Sequence, residues 1–501
     1  MIGAALTWIG LASAASTAEV SAQGLIESAI SNEGAISSRS NAPWWSSVED
    51  PTLHQLIFRG LKTSPQMAAS DAQVQLAHAG RAQSFSGLLP SVSVELQGQV
   101  MPTDGIGLSP FSSQMPDYGA AFEGLAEMLA SFAESTGQDP ATMPSFEMEQ
   151  EDSPDTYGQG SAMVVATLPI DIVGRQYRTW RASEHSYQGS VSDRAAQRQT
   201  LSLRIADAWY DLVAARAQAK IVDQQVRTNK EMLQLVKARY EGGEATALDV
   251  LQQRQQLAAT QAMLPRAKAQ VTSAGLALNL TLGQAPGTPL PEGTTLPQVG
   301  APPAMGTTAR LMADRPDLAA AVSRLDAAQQ QRVAAMLGLA PVFGITGSAG
   351  RQFLRMDETD HVDTWSVGAA LTVPLFAGGR THAGIRAAKA QRDLAQAQLR
   401  SKVLTIAQEI QTAQAQDSSS LESLTAAQRQ HSAARTSFEE SRARYLDGLV
   451  PYVNVLSALG ADQVAELSLL DAQRTRLRAR VRLHGAFGGT WSQQPLQEET
   501  P

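Results

Sequence analysis

The amino-acid sequence predicts a mixed α and β fold with an internal structural duplication. Three observations carry this: segments recur 205 residues apart, short stretches alternate apolar and polar side chains, and long proline-free runs repeat apolar residues at heptad spacing. Composition agrees, because the 501 residues are 43% hydrophobic but only 5% aromatic. Ala, Gln, Leu and Arg crowd residues 176 to 285 and 380 to 485, as in long helices rather than ring-rich globular cores.

The start, "MIGAALTWIGLASAASTAEV", reads as a secretory signal over residues 1–18. It is apolar and followed by small residues that suit cleavage after Ala14 or nearby, although no basic residue precedes it. Nowhere else do 18 consecutive apolar residues occur, so no transmembrane helix is expected. An N-terminal segment, 19–64, leads into a first copy, 65–285; a Pro, Gly and Thr-rich linker, 286–309, joins it to a second copy, 310–489, and a tail, 490–501, follows.

The copies align in detail. "TLPIDIVGR" (167 to 175) matches "TVPLFAGGR" (372 to 380), and "ARYEGGEATALDVL" (238 to 251) matches "ARYLDGLVPYVNVL" (443 to 456), both at offset 205. Upstream the offset is 251, with Arg59 on Arg310, Pro65 on Pro316 and Arg81 on Arg332, so the first copy carries an insertion of 46 residues. The insertion falls in segment 101–157, which holds eleven Asp or Glu and no Lys or Arg. Net charge is −8, so the remainder of the chain is nearly balanced and nothing argues for a nucleic-acid surface.

Each copy opens with two strands, expected at about 91–100 and 158–169, and at about 342–352 and 363–375. Val92, Val94 and Leu96 fall on one face and Ser91, Ser93 and Glu95 on the other; Trp365, Val367, Ala369 and Leu371 alternate with Ser366, Gly368, Ala370 and Thr372. Strands of about 10 residues with one apolar face cross a bilayer when tilted, although taken singly they suit a soluble hairpin resting on a core better. Long helices follow. In the first, Leu201, Ile205, Ala208, Leu212, Ala215, Ala219, Val222 and Val226 form an unbroken heptad seam; in the second, Ile406, Ile410, Ala413, Leu424, Ala427, Ala434 and Phe438 continue it with lapses at Asp417 and His431. A helix from Arg175 to Tyr240 reaches about 100 Å, more than a compact domain needs. Turns at 239–246 and 444–451 end these rods, with Gly243 and Gly448 placed for left-handed backbone and Thr246 or Pro451 starting the return helix.

No enzymatic constellation is present. The seven histidines have no metal spacing, "GGEATALD" lacks the ending of a phosphate-binding loop, and the chain has no Cys, which removes thiolate chemistry and lipid attachment through Cys. No catalytic residue, metal or cofactor is expected.

Strand, loop, strand, long helix, tight turn and helix, duplicated, with "PLFAGGR" after a strand and "ARYxxG...DVL" at the turn, resemble the TolC-like outer-membrane efflux proteins, most of all their NodT/OprM subgroup. "WWSSVEDPTLHQLI" (44 to 57), "ARLMADRPDLAAA" (309 to 321) and "LHGAFGGTW" (483 to 491) agree, so the resemblance covers roughly residues 42 to 491. It implies a homotrimer in which each subunit gives four strands to one twelve-stranded β-barrel in the outer membrane, continued by a long α-helical periplasmic tunnel. Segment 19–64 becomes equatorial, and Trp365 and Tyr157 fall near a membrane interface. The implied function is a passive exit duct for drugs or other small toxic compounds, working with a periplasmic adaptor protein and an inner-membrane transporter of the resistance-nodulation-division type. Carried over by position, adaptor contact falls on Arg239, Tyr240, Gly242, Gly243, Arg444, Tyr445, Gly448 and Leu449, unless these only shape and pack the turns. The pore constriction falls on Val453, Asn454 and Ser457, unless these belong to a coiled-coil seam. Relatives often carry aspartates at the latter two, so an uncharged ring implies closure by packing and dewetting. First-copy Asp249 keeps its acid, for a charge or for hydrogen bonding within the turn. Two other readings remain: a duct for protein secretion served by an ATP-driven exporter, and a structural coiled-coil or adhesion protein.

Overall fold

The computed structural model describes residues 44–48, 50–102, 156–300, 302, 315–355 and 359–488. The expected signal 1–18, residues 19–43, the acidic segment apart from its ends and the tail 490–501 lie outside the described residues, and so does the side chain of Tyr157.

In chain order come α1 (Pro51–Thr63), α2 (Pro65–Ser86), β1 (Ser91–Pro102), β2 (Thr156–Ile170), α3 (Arg175–Glu241) and α4 (Ala247–Thr281). The second copy follows as α5 (Pro316–Met336), β3 (Val342–Arg355), β4 (Thr359–Thr372), α6 (Arg380–Leu446) and α7 (Tyr452–Ala486). Helices α3 and α6 are each 67 residues long, α4 and α7 each 35, and every boundary is displaced by 205. Proline opens both α2 and α5, at the one helical position where a missing N–H costs nothing. Strands β1 and β2 reach Pro102 and Thr156, so the ladder enters the acidic segment at both ends.

The chain divides into two compact units. One, Ala79–Ser183 with Gln329–Ala390, holds the strands. They form one antiparallel sheet ordered β1-β2-β3-β4, whose register aligns faces across all four strands. Val94, Val164, Ala349 and Trp365 make one row, and Val92, Ala166, Gly347 and Val367 the next, so this face is apolar from there to Leu371, with the Arg351–Asp363 pair bounding it in the next row beyond Trp365. On the other face lie Ser93, Val165, Ser348 and Ser366, with the hydroxyls of Ser348 and Ser366 2.8 Å apart, then Glu95, Met163, Gly350 and Thr364. A soluble hairpin would rest its apolar face on a core, yet Val92, Leu96, Val164, Leu168, Val367 and Leu371 are all exposed. Among the described residues the outer edges of β1 and β4 have no partner strand.

The other unit, Met1–His78 with Glu184–Ala328 and Gln391–Pro501, holds most of the helical mass. Its largest core gathers Leu53, Leu56 and Ile57 of α1 against Leu201, Ile205 and Leu212 of α3, Leu278 of α4 and Val481 of α7. Asp50 ties the start of α1 into it, accepting from Leu53 N at 3.0 Å and from Trp209 Nε1 at 2.9 Å. As far as Gly300 the linker is packed rather than loose: Arg216 Nη1 donates to Pro291 O and Arg480 Nη1 to Gly300 O, both at 2.6 Å, and Leu290, Leu296 and Val299 cover the core. Asp417, the lapse in the second seam, accepts from Arg480 Nε at 2.9 Å and meets Arg476 Nη1 at 2.7 Å, all three buried.

Candidate functional site

Both rods end in the same way. Gly243 N donates to Tyr240 O at 3.0 Å and Glu244 N to Arg239 O at 2.8 Å; Gly448 N donates to Tyr445 O at 3.1 Å and Leu449 N to Arg444 O at 2.8 Å. This paired bonding requires a left-handed residue after the helix, and Gly243 and Gly448 supply it at φ 75° and 70°. The return helix α4 begins with a reciprocal cap: Asp249 N donates to Thr246 Oγ1 at 3.2 Å and Thr246 N to Asp249 Oδ2 at 2.8 Å. Asp249 therefore serves the turn by hydrogen bonding. Pro451 stands at the equivalent cap of α7 without a side-chain bond.

The two tips are joined. Arg239 Nη1 donates to Leu446 O at 2.8 Å, its guanidinium lies 4.8 Å from the Tyr445 ring centroid, and its Nη2 pairs with Glu244 at 3.1 Å. Tyr445 is 4% exposed and meets the Tyr452 ring edge-on at 5.4 Å. Of the eight adaptor-contact candidates, Tyr240, Gly242, Gly243, Arg444, Gly448 and Leu449 are exposed, whereas Tyr445 is buried and Arg239 only partly accessible.

Val453, Asn454 and Ser457 share one exposed side of the first turns of α7, with Val453 52% exposed. The packed side of the same turns is Tyr452, Val455, Ala458 and Leu459, joined with Met232, Val236, Val250 and Phe438. The three constriction candidates are thus outside the seam made within one subunit.

Behind the tip runs a buried polar chain that the sequence reading passed over. Tyr452 OH donates to Gln253 Oε1 at 2.5 Å, Gln253 Nε2 to Asn229 Oδ1 at 3.0 Å, and Asn229 Nδ2 to Thr260 Oγ1 at 3.2 Å. Burial pushes the Tyr452 phenol up in pKa, so it stays a donor. Its signal was present: Asn229 falls three residues after Val226, at the next seam position, where a polar residue sets register. Among the described residues no group of three or more His, Asp or Glu is arranged to hold a metal ion.

The family model described as outer membrane efflux protein matches residues 129–284 and 309–489, one stretch in each copy. The chain belongs to that family. This outer membrane efflux protein is 26% identical over 461 residues to the pyoverdine export outer membrane protein OpmQ of Pseudomonas aeruginosa, covering 89% of this chain and 87% of that one. To the solvent efflux pump outer membrane protein SrpC of Pseudomonas putida it is 26% identical over 336 residues, 66% of this chain and 71% of the other. Among solved structures, the outer-membrane channel OprN matches with a TM-score of 0.75 at 23% identity, covering 90% of this chain and 93% of OprN. The fold is that of an outer-membrane channel subunit, with four barrel strands and two pairs of long helices.

Proposed function

We propose that three copies of this chain form a passive outer-membrane exit duct of a tripartite efflux pump, a channel and not an enzyme. It receives small organic compounds from a periplasmic adaptor and an inner-membrane transporter of the resistance-nodulation-division type. The observation that carries this is the sheet: below the Arg351–Asp363 pair one face is apolar across all four strands, and among the described residues both edges are open. Lipid leaves no unpaired backbone, so the edges of β1 and β4 must meet copies of each other, and four strands are too few to close around an open lumen. Three subunits supply twelve. Support for small organic cargo comes from two relatives, a pyoverdine exporter, OpmQ, and a solvent efflux protein, SrpC.

In this reading Tyr240, Gly242, Gly243, Arg444, Gly448 and Leu449 meet the adaptor, while Arg239 and Tyr445 hold that surface in shape from beneath. Val453, Asn454 and Ser457 ring the pore. Mass measurement in mild detergent together with conductance in a planar bilayer tests the proposal: the expected outcome is a trimer with passive conductance. A monomer, or a trimer that never conducts, overturns it.

A further inference from the structure

Leu375 and Phe376 are the two most exposed large apolar residues described, at 92% and 91%. They lie in the second-copy connector after β4, where the ladder has ended at the pair Val342 and Thr372. The apolar face of β4 has a sharp upper limit. Asp363, two residues before Trp365 on that face, pairs with Arg351 of β3 at 2.8 Å.

From Trp365 the apolar face within the ladder ends at Leu371, six residue steps on. At about 3.3 Å per step and a tilt of about 40°, those steps cover about 15 Å of bilayer, short of the ~25 Å apolar band of such barrels. Extending the chain at the same rise through Val373 to Leu375 brings the height to about 25 Å, and Phe376, beyond the strand, is not bound to its two-face alternation. The apolar part of the hydrogen-bonded strand alone is too short for the hydrocarbon, and the connector supplies the missing length.

The first copy handles its connector differently. At the position equivalent to Phe376 it has Asp171, whose Oδ2 accepts from Tyr177 N at 2.8 Å at the start of α3. Beside it Tyr177 and Phe85 both pack on Trp180, and Ile172, Tyr177 and Phe85 remain exposed. The same end of the sheet therefore carries an apolar collar in both copies: Ile172 and Val173 are exposed after β2, and Leu375 and Phe376 far more so after β4.

We propose that Leu375 and Phe376 form a lipid-inserted wedge, one per subunit, whose partner is the acyl chains of the periplasmic-side leaflet of the outer membrane. The inference rests on the barrel reading above and adds that the hydrocarbon boundary lies on the connector rather than at the last ladder pair.

The cysteine-free chain allows a direct test with single nitroxide labels. Leu375→Cys, Phe376→Cys, Val367→Cys and Lys237→Cys are labelled in the full-length protein and reconstituted in phospholipid bilayers, then read for collision with oxygen, which partitions into lipid, and with a nickel chelate, which stays in water. The expected result is that labels at 375 and 376 match 367, accessible to oxygen and protected from nickel, with 237 reversed. Nickel access at 375 and 376 like that at 237 overturns the wedge, and so does protection from both reagents, which means a neighbouring subunit covers the site. If 367 itself reads as water-exposed, the barrel reading fails; if 367 lies in lipid and 375 and 376 do not, the wedge alone fails.

Discussion

The guanidinium of Arg239 lies 4.8 Å from the ring centroid of Tyr445, so the last turn of the first rod is seated on the last turn of the second. Such an arrangement holds only if both turns keep their paired bonding, which places the demand on Gly243 and Gly448. An added Cβ meets no atom within 4 Å at either glycine, so the penalty is purely that of the backbone. Gly243→Val and Gly448→Val are each expected to cost about 1–2 kcal/mol locally. Dye-efflux assays on cells with normal amounts of membrane-inserted trimer should show impaired export, while Asn at either position, which tolerates left-handed backbone, should retain it. Full export with both valines would remove any special role for the turns.

The exposed side of α7 makes a second demand. If Val453 rings the pore, an apolar constriction excludes water, and a hydroxyl there makes it wettable. Val453→Ser should raise single-channel conductance and admit larger antibiotics, with trimer mass unchanged. Val455→Ser, on the packed side, should instead lower thermal stability. Equal conductance in native and Val453→Ser channels would move the constriction elsewhere.

Asp417 sits between Arg476 and Arg480 in a buried site where the arginines also bond Asp417 O and Gly300 O. Removing the carboxylate leaves two buried cations with only carbonyl and hydroxyl partners. Asp417→Ala should cost about 3–5 kcal/mol, the usual penalty for breaking one side of a buried ion pair. A triple change, Asp417→Leu with Arg476→Leu and Arg480→Met, should recover much of that loss in a thermal melt.

These residues also show what was legible in the sequence. The 205-residue offset and the glycines mark the rods and turns, because repeated spacing and positive-φ positions are local properties that survive without partners; alternation marks the strands less sharply, and the fourth, expected at about 363–375, runs over Thr359–Thr372. Asp417 and His431 stood out only as lapses in a seam. Their partners lie on α7, reached by tertiary packing: Arg476 and Arg480 for Asp417, and for His431 the carboxylate of Asp462, 4.0 Å away. The burial of Tyr445 was illegible for the same reason, since its neighbours Arg239 and Tyr452 come from two other helices. A Pro and Gly-rich linker gave no hint of its packing, because backbone carbonyls such as Pro291 O and Gly300 O carry no side-chain signature.

His484 gives a pH dependence with a definite sign. Burial, aided by nearby Arg480 and opposed by Asp417, lowers its pKa to about 4, and its ring stacks on Trp44. A histidine whose folded pKa lies below its unfolded value of about 6.5 takes up a proton on unfolding, so its stabilising share falls as pH drops from about 6.5 to about 4. The loss approaches about 3 kcal/mol per subunit at the low end. Asp317 then acts at lower pH. Burial opposes its ionisation, but hydrogen bonds from Arg315 and Lys402 hold it at about 2, so its share is lost only below the usual carboxylate range. Melting temperatures measured between pH 7 and pH 4 should fall more steeply for the native protein than for His484→Gln. Parallel curves would show that His484 does not govern this window.

The acidic segment is the last element whose role can be argued from its ends. Met101 pairs with Tyr157 and Pro102 with Thr156, so β1 and β2 stay in register to the final described pair. The attachment points of the intervening residues are therefore neighbouring strand ends, separated by about 5 Å, the ordinary spacing across an antiparallel pair. The second copy joins β3 to β4 across Arg355 and Thr359, which shows that a short connection closes the equivalent hairpin. Helix α3 follows the opposite end of β2, and if the helices enter the periplasm the segment faces outward. Its eleven acids would gather cations at that mouth, an effect screened beyond about 10 Å at 0.1 M salt. Replacing residues 104–154 by a short Gly-Ser bridge should leave the β1–β2 ladder, trimer mass and efflux largely intact, while shifting reversal potentials in a potassium chloride gradient at low ionic strength. Loss of barrel assembly would mean that the segment is part of the folded barrel, and a tag inserted near Gly137 that stays hidden on intact cells would reverse the proposed orientation of the chain.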